Sequence, residues 1–258
     1  MARASKKAKR PPHRFSNLPK RPREEPVREP LKALNKRQAE YIRAILKGDQ
    51  VFTLGPAGTG KTFIAATVAA DLLLEGKIEK IVLTRPAIGV DEEHGFLPGD
   101  IGRKIAPWVV PFTEVMQKRL GKDRFRQAMS EGQIEIAPIA YMRGRTFDRA
   151  LIFLDEAQNT TYSQIKMFLT RIGEGSKVIV NGDIRQTDLK LEDEGSCGLA
   201  AVLAMVEHLD LPVPVIEFTN EDVVRSGICK LWAEAFTDFE DAVEAGLDQP
   251  SMGFTASV

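Results

Sequence analysis

Short apolar runs alternate with helical patterns along most of the chain. From Leu31 onward apolar residues recur at helical spacing, with Asn35 placed to cap a helix and Gly48 placed to end it. Six short apolar runs then predict strands at 51–54, 80–84, 133–137, 150–154, 177–181 and 215–219. Most of them are separated by stretches with helical periodicity. This alternation predicts an α/β fold with a mostly parallel sheet covered by helices.

Three regions depart from the alternation. Residues 85–132 mix Gly, Pro and charge with amphipathic stretches, which we interpret as a helical insertion between two strands. Residues 1–30 hold ten Lys and Arg, three Glu and six Pro, a composition that predicts a disordered basic arm. We expect one folded domain over 31–245 and a flexible tail over 246–258.

Composition narrows the class of protein. The 36 basic and 36 acidic residues cancel, so any affinity for nucleic acid must come from local charge. Cys197 and Cys229 are far apart and lack metal-ligand spacing, which argues against a zinc site or a disulfide framework. No apolar segment is long enough to span a membrane, and none follows the basic N-terminus. We therefore expect a soluble cytoplasmic protein with no membrane partner, and we assign no role to the lone His94.

One motif carries a specific chemistry. Residues 55–62 read GPAGTGKT, which fits G-x-x-x-x-G-K-[ST], and they lie between a predicted strand and a helix predicted over 63–74. In such a loop, backbone N–H groups cradle phosphates, the lysine neutralises β- and γ-phosphate charge and the hydroxyl holds Mg²⁺. The sequence therefore predicts a nucleoside triphosphate site, with ATP and Mg²⁺, at Gly55, Pro56, Ala57, Gly58, Thr59, Gly60, Lys61 and Thr62.

Two later strands end in polar residues that complete a hydrolytic site. The run LIFLDE delivers Asp155 and Glu156 to the carboxyl end of a strand, the edge where α/β sheets build their sites. We expect Asp155 to hold Mg²⁺ and Glu156 to polarise the attacking water, a role that favours hydrolysis over transfer to a small molecule. The run KVIVNGD brings Asp183 to the same edge, and Gln186 three residues later is a candidate sensor of the γ-phosphate.

Arg225 follows the last predicted strand. Its guanidinium either stabilises transition-state charge on a triphosphate, in its own chain or across a subunit boundary, or forms a surface ion pair with Glu221 or Asp222.

Taken in order, GPAGTGKT, TRPAIG, GFLPGD, YMRGRTF, FLDEAQN and NGDIRQTDL resemble the PhoH family of ATPases over residues 31–240. The resemblance implies a single RecA-like P-loop NTPase domain and a ring-shaped homo-oligomer, expected to be a hexamer, with ATP near each subunit boundary. FLDEAQN and GDIRQ also resemble the second and third motifs of superfamily 1 helicases. On that resemblance Gln38 stands where a glutamine reads adenine.

The helicase-like motifs suggest single-stranded nucleic acid as the partner, with RNA expected over DNA. Candidate phosphate contacts are Thr84, Arg85, Arg143 and Arg145, and Tyr141 and Phe147 either stack on bases or belong to the core. The sequence thus favours an ATP-driven enzyme that remodels nucleic acid. A nucleotide-dependent assembly switch without unwinding stays open, as does a small-molecule kinase.

Overall fold

The computed structural model describes residues 28–86, 101–187 and 197–224, together with residues 227, 228, 231, 232, 235, 236 and 239. Over 101–108 it describes the backbone alone. Nearly all of the predicted N-terminal arm, the whole predicted tail, His94, Arg225 and Cys229 lie outside these residues. Within them, no helix is long and apolar enough to cross a membrane.

Six parallel strands form one sheet. They are β1 (Gln50–Leu54), β2 (Lys80–Thr84), β3 (Ile134–Ile136), β4 (Ala150–Leu154), β5 (Lys177–Gly182) and β6 (Val215–Glu217), in the order β3-β2-β4-β5-β1-β6. Each lies within two residues of its predicted bounds, so the predicted fold class is confirmed. Since β5 lies between β1 and β4, the three strands that precede the predicted site motifs are neighbours.

Within residues 28–224, as far as the structure describes them, six α-helices cover both faces of the sheet. They are α1 (Lys36–Lys47), α2 (Lys61–Leu74), α3 (Ile101–Leu120), α4 (Lys122–Ser130), α5 (Tyr162–Leu169) and α6 (Gly198–His208). Helices α1 to α4 share one buried cluster with Ile81 and Leu83 of β2, whereas α5 and α6 share another with Val82. Successive strand residues point to opposite faces, and both faces are covered, so the strands are continuous apolar runs.

Helix α1 begins and ends at the predicted residues. The Asn35 side chain accepts a hydrogen bond from the Gln38 N–H at 2.8 Å, and the Gly48 N–H donates to the Ala44 carbonyl. The first contact satisfies one of the free N–H groups of the helix start and the second satisfies a carbonyl at its end.

The predicted helical insertion is part of the core. The Phe112 ring of α3 stacks on Phe153 of β4 with centroids 5.5 Å apart, and Met116 is fully buried. Arg119 of α3 forms two hydrogen bonds, of 2.6 and 2.7 Å, with the Asp71 carboxylate of α2. The described part of 85–132 is thus helical and lies between β2 and β3, as predicted, and it completes the layer of helices on one face of the sheet.

Candidate active site

A cleft of about 410 Å³ opens at the carboxyl ends of β1, β4 and β5. The phosphate-loop motif and the start of α2 form one wall, and residues following β4 and β5 form another. Its lining brings together predicted polar residues from three separate motifs: Lys61, Thr62, Asp155, Glu156, Asp183 and Gln186. Arg85, Asn181 and Pro111 also line it.

The loop before α2 has a backbone that its glycines require. Gly55, Gly58 and Gly60 have φ of 115°, 89° and 88°, in the left-handed region that side chains disfavour. A Cβ at Gly55 would also lie 2.1 Å from the Phe218 carbonyl oxygen, because the chain that leaves β6 passes directly against the loop. The loop therefore keeps a curved backbone that leads straight into the N-terminus of α2, the geometry that binds phosphates.

The Lys61 ammonium lies inside this curve. Its Nζ donates hydrogen bonds to the carbonyls of Gly55 at 2.6 Å and Pro56 at 2.8 Å. Burial lowers the pKa of Lys61, and the nearby carboxylates of Asp183, Asp155 and Glu156 oppose that change. A buried cation facing three acids is suited to bind an anion that shares the site with a metal ion.

Asp155 follows β4 at the floor of the cleft. Burial raises its pKa to about 6, the neighbouring Glu156 carboxylate adds to the rise, and the Arg85 guanidinium opposes it. A desolvated carboxylate gains from a divalent cation, and Mg²⁺ is commonly held by one or two protein oxygens together with phosphates and waters. The Thr62 hydroxyl and the Asp155 carboxylate, which line one cleft, supply such a donor set. The residues present therefore fit Mg²⁺.

Glu156 has an unusual backbone and two side-chain partners. Its φ of 54° and ψ of 41° are left-handed, a conformation that costs a residue with a side chain about 1–3 kcal/mol and clusters at functional sites. One carboxylate oxygen accepts a 2.6 Å hydrogen bond from Gln158 Nε2, and the other lies 3.8 Å from the Arg85 guanidinium. The side chain is 39% exposed, so water can reach it.

Gln158 is a site residue that the sequence analysis missed. It is 2% exposed, and its amide joins the two walls that follow β4 and β5. Besides the bond to Glu156, its Nε2 donates to the Gln186 carbonyl at 3.3 Å, and its Oε1 accepts from the Asp183 N–H at 3.0 Å. The available signal was a glutamine close behind the paired acids, in a stretch whose neighbours are buried.

Gln186 and Asp183 occupy a short turn after β5. Gln186 is exposed and its backbone N–H donates to the Asp183 carbonyl at 3.0 Å. Both residues line the cleft. Gln186 thus presents an exposed side chain at the cleft, while its backbone carbonyl accepts a hydrogen bond from Gln158.

Gln38 lies against the loop instead of lining the cleft. It is 3% exposed; its Nε2 donates to the Thr59 carbonyl at 2.9 Å and its Oε1 accepts from the Leu34 N–H at 2.9 Å. A Cβ at Gly60 would approach Gln38 Nε2 to 3.0 Å. The amide therefore fixes α1 to the phosphate loop in this structure.

The structure corrects one of the predicted nucleic-acid contacts and shows the surroundings of two others. Thr84 is fully buried at the end of β2, so its hydroxyl does not face a surface where a strand can bind. Arg85 lines the cleft beside Glu156. Arg145 forms a bidentate ion pair with Glu135 and lies 4.6 Å from the centroid of the Phe147 ring.

The two aromatic residues of the YMRGRTF stretch differ in burial, and one of its arginines is exposed. Phe147 is 4% exposed and belongs to the core, whereas Tyr141 is 46% exposed. Arg143 is exposed as well. This stretch lies near the same sheet edge as the cleft, because the Ile139 N–H donates to the Arg85 carbonyl at 3.3 Å.

Comparison with known proteins identifies relatives over most of the chain. The family model for PhoH-like protein matches residues 30–237. The chain is 47% identical over 199 residues to a PhoH-like protein of Bacillus subtilis (strain 168), covering 77% of this chain and 61% of that protein. It is 46% identical over 211 residues to protein PhoH of Escherichia coli (strain K12), covering 81% and 58%. The chain thus spans less than two thirds of the length of these relatives.

Among solved structures, the fold is partly similar to two larger chains. The large terminase of a thermophilic bacteriophage matches with a TM-score of 0.45 and 12% identity, covering 81% of this chain and 50% of that one. A Pif1 helicase from Candida albicans matches with a TM-score of 0.38 and 12% identity, covering 83% and 44%.

Proposed function

The chain belongs to the PhoH-like protein family, and from that premise we propose that it hydrolyses ATP with Mg²⁺ and couples hydrolysis to binding or remodelling single-stranded nucleic acid, RNA in preference to DNA. The observation that carries the proposal is the cleft. It gathers a phosphate loop, two adjacent acids that follow β4 and an exposed glutamine that follows β5, from three separate parts of the sequence.

Each residue has a chemical task. Backbone N–H groups of the loop and the Lys61 ammonium bind the β- and γ-phosphates. Thr62 and Asp155 would hold Mg²⁺, which would supply positive charge to offset the charge that develops on the phosphates. Glu156 orients a water and accepts its proton as the oxygen attacks the γ-phosphorus. The bond to the bridging oxygen then breaks, and ADP and phosphate leave.

Substitutions at the loop and at Glu156 test the hydrolytic part. We expect Lys61→Ala to lose nucleotide binding, because the Lys61 ammonium lies inside the loop, where it donates to the Gly55 and Pro56 carbonyls. Glu156→Gln should bind ATP normally and hydrolyse it about 10²–10⁴-fold more slowly, the range lost with a general base. Phosphate release and equilibrium binding measure the two effects. An equally active Glu156→Gln variant would show that Glu156 is not the base.

The nucleic-acid part is assigned to Arg143 and Tyr141, the exposed members of the YMRGRTF stretch. Each phosphate contact to a single strand adds about 0.7 to the slope of log K against log salt. Arg143→Ala should therefore weaken binding to single-stranded RNA and lower that slope by about 0.7. Arg126, exposed on α4, provides the matched control. No stimulation of ATP turnover by RNA or DNA, together with no salt-sensitive binding, would eliminate this assignment.

The ring is proposed on the same premise: identical subunits, six in number, with Arg225 acting on a neighbour's nucleotide. Mixing Arg225→Ala with Lys61→Ala subunits should restore part of the activity, because a mixed interface holds one intact loop and one intact arginine. A chain that sediments as a monomer with ATP present would contradict the ring.

A second candidate function is a nucleotide-dependent assembly switch that unwinds nothing. Large apolar side chains near the C-terminus favour it: Ile228, Leu231, Trp232 and Phe236 are each at least 59% exposed. Exposed apolar patches of this kind mark surfaces for association. Equal nucleic-acid binding by wild type and Glu156→Gln, with no duplex ever separated, would support the switch over the motor.

A further inference from the structure

Phe63 is an aromatic side chain that helix α2 leaves outside the core. It directly follows Thr62 and is 52% exposed, whereas the next seven residues of the helix, 64–70, are all buried. Helical geometry places residues 61, 62 and 63 about 100° apart around the first turn. The first two face the phosphate loop, and the third extends the same wall of the cleft.

Exposure alone does not distinguish Phe63, since many apolar side chains are exposed on a folded protein. Its position does. Of the large apolar side chains that the structure shows as exposed, Phe63 is the one that lines the cleft. Pro111 of α3 lines the cleft as well.

The cleft is therefore chemically divided. Lys61, Asp155, Glu156 and Asp183 supply the charges for a triphosphate and its metal ion. Phe63 and Pro111 supply apolar surface. In a nucleotide bound by the loop, the ribose and base are attached to the α-phosphate, the end of the triphosphate that lies away from the hydrolytic groups. The residue just beyond Thr62 is then within reach of the nucleoside.

The glutamine that family resemblance suggested as the adenine reader has other partners here. Gln38 is 3% exposed, and both atoms of its amide hydrogen-bond to the backbone of Thr59 and Leu34. Recognition of the base thus needs another surface in the cleft.

We propose that Phe63, together with Pro111, forms the nucleobase subsite of the proposed nucleotide site, with the base stacked on the Phe63 ring. The subsite rests on the proposed function. Every base presents a π-face, so a stacking surface contributes affinity without selecting one base. Phe63 therefore strengthens the binding of ATP and of GTP by the same factor, and any preference for ATP comes from another residue.

The test compares nucleotides with a ligand that has phosphates only. Binding of Mg-ATP, Mg-GTP and inorganic Mg-tripolyphosphate is measured by calorimetry for wild type, Phe63→Ala and Phe63→Tyr. Phe63→Ala should bind both nucleotides roughly tenfold more weakly, a loss within the range for removing an aromatic partner of a base. Its affinity for tripolyphosphate should be unchanged, and Phe63→Tyr should keep wild-type affinity for all three ligands.

Tyr162 gives the matched control, since it is 42% exposed at the start of α5 and does not line the cleft. Tyr162→Ala should leave all three affinities unchanged. Unchanged ATP binding by Phe63→Ala would overturn the subsite, and so would an equal loss of tripolyphosphate affinity, which would place the effect on the phosphates. Wild type that binds tripolyphosphate and ATP equally tightly would also overturn it. Wild type that binds neither ligand would overturn the proposed function itself.

Discussion

Replacing Gln158 by alanine should slow ATP hydrolysis while leaving nucleotide binding intact. The Gln158 amide holds the Glu156 carboxylate through a 2.6 Å hydrogen bond, and Glu156 needs that support because its backbone is left-handed. A hydrogen bond to a charged group is worth about 1.5–3 kcal/mol. If that energy keeps the carboxylate in its productive orientation, its loss lowers kcat by roughly 10- to 150-fold. Gln158 does not line the cleft, so Kd for Mg-ATP should change little.

A double-mutant cycle separates this positioning role from a general loss of structure. In a Glu156→Gln background the base is already gone, so adding Gln158→Ala should cause little further loss of kcat. A purely structural role predicts the same loss in both backgrounds. Thermal unfolding accompanies the kinetics, because Gln158 also accepts from the Asp183 N–H, and a buried donor left unpaired costs about 1–3 kcal/mol.

Gln127 supplies the control for this experiment. Its Nε2 donates to Glu131 at 2.7 Å on the exposed surface of α4, the same chemical pair as Gln158 and Glu156 but outside the cleft. Gln127→Ala should retain wild-type kcat. The reasoning is refuted if Gln158→Ala also retains wild-type kcat while folded, or if its loss is undiminished in the Glu156→Gln background.

Three further predictions concern stability and backbone geometry. The Arg145 hydrogen bonds, with help from Lys80, hold the pKa of Glu135 at about 2. Glu135→Gln should therefore lower the free energy of unfolding by about 1–2 kcal/mol at pH 7, after allowance for solvent screening. Urea unfolding should show that this deficit vanishes as pH falls from about 4.5 toward 2. A deficit that stays constant with pH would contradict the assignment. Burial raises the pKa of Asp155 from 3.8 to about 6, so the folded state loses stability relative to the unfolded chain as pH rises from about 4 to 6, and the loss is complete above that. Without Mg²⁺ or nucleotide, Asp155→Asn should be more stable than wild type by about 2–3 kcal/mol at pH 8. This gain in stability should fade as pH falls through 6 toward 4. An equal gain at pH 4 and pH 8 would contradict the raised pKa of Asp155. Gly55→Ala should abolish ATP binding and lower Tm, because its Cβ would lie 2.1 Å from a backbone oxygen. Gly76 is the control, since it has a φ of 66° and no atom within 4 Å of an added Cβ. Gly76→Ala should therefore show the cost of the positive φ alone. Similar effects at the two sites would refute the role of the close approach.

The strands and the phosphate loop were predictable because their signals are local. A strand covered on both faces is a continuous apolar run, and the six runs lie within two residues of the observed strands. The capping residues of α1 act on neighbours three and four positions away, so Asn35 and Gly48 could be assigned from sequence. The rule that parallel strands end at one edge predicted that Thr62, Asp155 and Gln186 would share a cleft.

Side-chain direction and partner choice could not be predicted from the sequence, because tertiary contacts set them. Thr84 ends its strand, but the pleat turns its hydroxyl into the molecule, where it is fully buried. Arg145 is basic and lies in a turn, yet Glu135 from β3 and the Phe147 ring occupy its guanidinium. Phe63 fits the apolar pattern of α2, and nothing in that pattern marks its side chain as exposed.

Polar residues at the carboxyl edge of the sheet lower the stability of the fold, which is typical of a functional site. Buried polar side chains occur near the ends of three of the central strands: Thr53 in β1, Thr84 in β2 and Asn181 in β5. Thr53 and Asn181 are hydrogen-bonded to each other, but the Thr84 hydroxyl has no partner among the described residues. Valine has nearly the shape of threonine, and a buried hydroxyl left unpaired costs about 1–3 kcal/mol, so folding alone would favour an apolar residue at Thr84. The unpaired Thr84 hydroxyl, the left-handed Glu156 and the desolvated Asp155 each depart from the most stable choice, and Glu156 and Asp155 line the cleft. Departures concentrated in this way are what a pre-organised catalytic site produces and what a purely structural sheet edge would avoid.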